Sequence, residues 1–180
     1  MRADVLDALA PLRDAAPALG WVDSARLHLT VKFLGERHPG AVDALMAALR
    51  DVGGRHAPFT LDLKGVGAFP NFRRARVVWL GIEPEPRLEL LHHDVESWCE
   101  RLGYEVEGRA FRPHLTLARV KAGTGEDTLR ALARAAREVR YEAGVGVTTI
   151  DLMHSTLEPR GSRYELLYSA PLGALTGGEN

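Results

Sequence analysis

Apolar and polar positions alternate most clearly in two places. From Arg26 to Leu34, Leu27, Leu29, Val31 and Phe33 fall on one side of an extended chain and His28, Thr30 and Lys32 on the other. The segment His114-Leu-Thr-Leu-Ala-Arg119 repeats that period of two, so both read as half-buried strands. Strands are also predicted over 58–66, over the apolar run 76–82, and near 145–157 and 163–170. Helical spacing takes over elsewhere. Residues 3–17 carry Val5, Leu6, Leu9 and Leu12, with Pro11 interrupting. Residues 40–52 set Val42, Leu45, Met46 and Leu49 on one face. Residues 85–102 do the same with Leu88, Leu91, Val95 and Trp98, with Gly103 as the stop, and 126–138 with Leu129 and Leu132. Gly65 to Asn71 is rich in Gly and Pro and reads as a loop, and the last five residues as a frayed tail.

Helices interleaved with alternating strands predict an α+β fold. Each half of the chain runs helix, His-x-Thr strand, helix, strand, strand. That order suggests a duplication and two pseudo-symmetric lobes of antiparallel sheet plus helices around a central cleft. No linker divides the chain, so residues 1–180 are expected to form one bilobal domain.

Composition narrows the partners more than the fold. Of 180 residues, 46% are apolar and 26% charged, enough for a core without staples, and the formal charge is −1. A bulk polyanion binder held by an overall basic surface is excluded, so any nucleic-acid contact must be local. The single cysteine, Cys99, lies in a helical pattern and cannot form an internal disulfide. With no long apolar run and no apolar leader, the expected location is the cytoplasm.

The candidate chemistry lies in His28-Leu-Thr-Val31 and His114-Leu-Thr-Leu117. Residues i and i+2 of a strand share a face, so each histidine projects with its threonine. Two imidazoles and two hydroxyls in one cleft suit phosphodiester hydrolysis. One imidazole takes a proton from water, the other gives one to the departing oxygen, and the hydroxyls donate to non-bridging phosphate oxygens. No carboxylate cluster for paired Mg²⁺ is evident, and no cofactor is expected.

The motifs carry flanks that resemble a known family. His28-Leu-Thr-Val-Lys-Phe-Leu-Gly-Glu36 and Phe111-Arg-Pro-His-Leu-Thr-Leu-Ala-Arg119 resemble the two motifs of the 2H phosphoesterases. The likeness is to the RNA 2′,3′-cyclic phosphodiesterases formerly called 2′-5′ RNA ligases. Gly67-Ala-Phe-Pro70, Val77-Val-Trp-Leu-Gly81, and Ser155-Thr-Leu157 with Gly161 and Tyr164 resemble the family's middle segment and closing hairpin. The resemblance implies metal-independent opening of a 2′,3′-cyclic phosphate to a 2′-phosphomonoester. His28 would be the proton donor, His114 the proton acceptor, and Thr30, Thr116 and Arg119 the phosphate contacts. The implied partner is RNA with a 2′,3′-cyclic phosphate end, tRNA fragments among the candidates. Membrane and obligate protein partners are not expected, and the chain is expected to be a monomer. Some relatives also join RNA ends through a 2′-5′ linkage, formally the reverse reaction.

The resemblance departs at the start, where relatives open with a short apolar strand and this chain reads almost directly into a helix. Either the true start lies upstream or the sheet is one strand short. Arg119 lies five residues after His114, so a regular strand would point it away from the histidine, and a bulge or strand end is needed to bring it back. Arg73, Arg74 and Arg76 surround the Gly/Pro-rich loop and either guide an RNA backbone or are simply solvated. Phe69, Phe72 and Trp21 either stack on a terminal base or pack in the core. His38, His56, His92, His93 and His154 receive no role, and Tyr164 either faces the cleft or packs in the hairpin. The competing readings are a non-enzymatic RNA-end binder, the same chemistry on a small cyclic nucleotide or 2′-5′ oligonucleotide, and a structural protein with coincidental motifs.

Overall fold

A computed structural model describes Val5 and residues 7–36, 39–158 and 161–173. The expectations about an opening strand, His38 and the frayed tail lie outside these residues. Four helices are named here as α1 Ala10–Ala15, α2 Val42–Arg55, α3 Pro86–Arg101 and α4 Glu126–Glu138. Seven strands are β1 Gly20–Trp21, β2 Phe59–Phe69, β3 Val77–Ile82, β4 His114–Arg119, β5 Glu142–Val147, β6 Thr149–Glu158 and β7 Gly161–Pro171. The α+β class is as expected.

The chain divides into two compact units. The first comprises Met1–Thr30, Leu61–Pro84 and Arg112–Val145, the second Val31–Thr60, Glu85–Phe111 and Gly146–Asn180. Both His-x-Thr segments therefore belong to the first unit. Its sheet has the order β1-β4-β3-β2-β5, with antiparallel pairing of β1 with β4, β4 with β3 and β3 with β2. Under it, Leu9, Leu12, Val78, Leu80, Ala118 and Leu132 form a core at 1% exposure or less. Pro11 does not break α1, because it sits in the first turn, where an N–H has no intrahelical acceptor anyway.

In the second unit β6 and β7 form a long hairpin, and α2 packs on both strands and on α3. Glu85 opens α3 by accepting the Arg87 backbone N–H at 3.0 Å, and Pro86 supplies the preset first turn.

Three strand expectations change. Residues 26–34 do not form a strand. Ser24–Arg26 is a 3-10 turn capped by the Asp23 carboxylate, and only Leu29 finds a ladder partner, bridging to Leu115. The alternation is real for Leu29, but Phe33 ends up 73% exposed, because no neighbouring strand continues past the bridge to cover it. The Gly/Pro-rich stretch read as a loop is sheet as far as Phe69, accommodated by a register shift between Leu63 and Val66 with Gly65 at φ 74°. The strand near 145–157 is two strands, interrupted at Thr148.

Candidate active site

The Leu29–Leu115 bridge is antiparallel. Continuing that register by one residue each way sets His28 opposite Thr116 and Thr30 opposite His114. The two His-Leu-Thr triplets thus run side by side in opposite directions, related by a local two-fold between the leucines. Directly opposed side chains in such a pair have Cβ atoms about 5 Å apart and diagonal neighbours lie about 7–8 Å apart. In that register the two histidines are diagonal neighbours, and each has the other triplet's threonine directly across from it.

Arg119 joins them through a bulge. In β4 against β3, His114 pairs with Gly81, Leu115 with Leu80 and Thr116 with Trp79, then Ala118 pairs with Val78 and Arg119 with Val77. Leu117 is the extra residue. Antiparallel partners point to the same face, and Val77, Trp79 and Gly81 share one face of β3. The bulge therefore returns Arg119 to the face of His114 and Thr116, and Leu117 and Ala118 are both buried in succession.

Both imidazoles are held alike. His28 Nδ1 lies 2.7 Å from the Arg26 carbonyl, and His114 Nδ1 lies 2.7 Å from the Arg112 carbonyl. A carbonyl only accepts, so each Nδ1 carries the proton and donates it. Each neutral ring then keeps its lone pair on Nε2, and each protonated ring presents an Nε2–H there. The same i to i−2 bond thus holds the imidazole in both motifs.

His114 also has an aromatic wall. Phe69 meets it edge to face at 5.0 Å, Trp79 stands at 6.5 Å, and Phe69 and Trp79 lie 5.2 Å apart. Gly67 opposes Trp79 in the sheet, and a Cβ there would overlap Cζ2 and Cη2 of the indole, so only glycine lets the ring lie flat.

The remaining candidates separate. Phe69 lies on the site face. Phe72 and Trp21 are half-buried against the core, and Trp21 opposes Ala118 and donates its indole N–H to the Ala16 carbonyl at 3.0 Å. Arg73, Arg74 and Arg76 are exposed. In the second unit His56 is buried against Asp94 at 2.9 Å, and His93 and His154 are exposed. His92 stacks on Phe111 at 4.0 Å, and burial pushes its pKa below the ordinary histidine value against the pull of the Glu96 carboxylate. Cys99 is buried, which pushes its thiol pKa up. Among the described residues no group of three or more His, Cys, Asp or Glu side chains could hold a metal ion, and no helix is long and apolar enough to cross a membrane.

Sequence reasoning missed a buried ion pair in the second unit, just beyond the first motif. Lys32 Nζ donates to both Glu96 carboxylate oxygens at 2.7 and 2.8 Å and to the Glu105 carbonyl at 2.9 Å, and the Glu107 N–H reaches Glu96 at 3.3 Å. A lysine inside an otherwise apolar run was the signal, because a buried ammonium needs a carboxylate.

Residues 3–158 match the family model described as the 2′-5′ RNA ligase superfamily. An RNA 2′,3′-cyclic phosphodiesterase of Aeropyrum pernix is 35% identical over 89% of this chain and 92% of its own length. One of Methanothermobacter thermautotrophicus is 32% identical over 85% of this chain and 82% of its own. Among solved structures, TT0787 of Thermus thermophilus superposes with a TM-score of 0.77 at 30% identity, over 96% of this chain and 91% of that one. Escherichia coli LigT complexed with 3′-AMP gives 0.67 at 28% identity, over 94% and 92%.

Proposed function

Because the chain belongs to the 2′-5′ RNA ligase superfamily, we propose that it hydrolyses RNA 2′,3′-cyclic phosphate ends to 2′-phosphomonoesters by two-histidine acid–base catalysis. The observation that carries this reading is the antiparallel pairing of the two His-Leu-Thr triplets, each with Nδ1 tied to a carbonyl.

In the forward step, neutral His114 takes a proton from water through Nε2 as the water oxygen bonds to phosphorus. The bond from phosphorus to O3′ breaks on the opposite side, and protonated His28 delivers its Nε2 proton to that oxygen. Exchange with solvent restores the starting charges. Thr30 and Thr116 donate to the non-bridging oxygens, and the Arg119 guanidinium offsets their growing charge. With an RNA 5′-hydroxyl in place of water in the same forward step, its oxygen would bond to phosphorus as O3′ departs, and the same groups would form a 2′-5′ linkage. Each positioned histidine contributes roughly 10²–10⁴-fold.

The test is turnover, with EDTA present, of a short RNA ending in a 2′,3′-cyclic phosphate, comparing wild type with His28→Ala and His114→Ala and locating the product phosphate by NMR. Opening to a 2′-phosphate, lost by the stated factor in each folded variant, is expected. No turnover by folded wild type, or wild-type rates in either variant, would sink the reading.

A further inference from the structure

Charge is distributed unevenly along this nearly neutral chain. Residues 63–82 and 108–125 contain eight lysines and arginines and not one aspartate or glutamate. Taking these eight from 23 cations leaves 15 for the rest of the chain, which holds all 24 acids. The two stretches meet in the first unit, because Val77 pairs with Arg119 and the Val120 N–H donates to the Arg76 carbonyl at 2.9 Å.

Their junction is an ordered basic corner of Arg73, Arg74, Arg76, Arg119 and Lys121, all exposed. Asn71 Oδ1 accepts the backbone N–H groups of Arg73 and Arg74 at 3.0 and 3.2 Å, and the short turn they occupy packs against α4. The Arg76 N–H bonds the Phe69 carbonyl at 2.8 Å. None of the five cations is ion-paired with a described residue. The nearest acids along the chain, Glu126 and Asp127, are engaged by Arg130 at 2.7 and 3.0 Å. The corner continues the site, since Arg119 shares the face of Thr116 and stands about 10 Å along β4 from it.

We propose that this corner binds the phosphates of nucleotides on the 5′ side of the cyclic end, so that the preferred substrate is an RNA strand rather than a free cyclic mononucleotide. The proposal rests on the function given above and extends it. A mononucleotide occupies only the histidine–threonine end, whereas a strand also neutralises the corner and releases counterions there.

The experiment compares wild type with the variant Arg73→Gln/Arg74→Gln/Arg76→Gln/Lys121→Gln, which leaves Arg119 and both motifs intact. Values of kcat/KM are measured between roughly 50 and 200 mM salt on a 2′,3′-cyclic mononucleotide and on an RNA of about eight nucleotides with the same end. Wild type is expected to favour the strand. The variant should lose about tenfold or more on the strand at low salt, with a salt slope shallower by roughly 3 (about 0.7 per lost phosphate contact), and stay within about twofold on the mononucleotide. An unchanged preference and slope, or equal losses on both substrates, would overturn the proposal. Should neither substrate turn over, anisotropy with the same strand ending in a plain 3′-hydroxyl still decides. Salt-sensitive binding weakened in the variant upholds the corner while the catalytic reading fails; no binding, or tighter binding of anionic vesicles, overturns it.

Discussion

Replacing Lys32 with methionine should destabilise the protein far more than a surface lysine would. The Lys32 side chain is 4% exposed and that of Glu96 11%. All three ammonium protons are used, on the two Glu96 oxygens and the Glu105 carbonyl. Methionine keeps the volume but removes the charge, leaving the carboxylate buried with the Glu107 N–H at 3.3 Å and the His92 ring, charged only when protonated, at 3.8 Å. Removing one partner of a buried pair costs about 3–5 kcal/mol, whereas a typical exposed pair is worth about 1 kcal/mol or less. For a chain of this length each kcal/mol moves Tm by about 2–4 °C, so Lys32→Met should lower it by roughly 6–20 °C. The companion variant Lys32→Met/Glu96→Leu should recover most of that loss. It removes both desolvated charges, and the backbone groups freed at Glu105 and Glu107 belong to exposed residues that water can serve. Urea unfolding of wild type, both single variants and the double variant gives the coupling energy directly, expected at about 2 kcal/mol or more. A single variant costing under about 1 kcal/mol, or a double variant whose loss equals the sum of the singles, would refute the reasoning.

Two further outcomes follow from the same structure. Gly67→Ala drives a Cβ into the Trp79 ring, which should cost about 1–3 kcal/mol and, through the Phe69–Trp79 wall against His114, lower kcat more than it changes KM; wild-type melting and kinetics would contradict this. His92 has a folded pKa pushed down by burial, so protonation favours the unfolded chain. Its stabilising contribution is full above the unfolded value near 6.5 and is lost as pH falls through the lower folded value; His92→Phe should flatten that part of the stability–pH curve, and an unchanged slope would exclude His92 as its source.

The sequence by itself determined what is local. Apolar spacing placed α2, α3 and α4 within a few residues and identified β3 and β4, because helical and strand periods are properties of neighbouring residues. It also identified both His-Leu-Thr triplets, since the i, i+2 relation holds wherever the chain is extended. It misread 26–34 as a strand and 65–69 as a loop, because a ladder needs a partner that the segment does not contain. Which residues meet was decided by tertiary structure: Leu29 with Leu115, the Lys32 ammonium with Glu96, the bulge at Leu117 that brings Arg119 back to the histidine face. Register and bulges arise from hydrogen bonds between segments far apart in the chain, and a shift of one residue exchanges the faces of a strand. The two triplets were therefore legible in residue types, while their meeting depended on the pairing of two segments far apart in the chain.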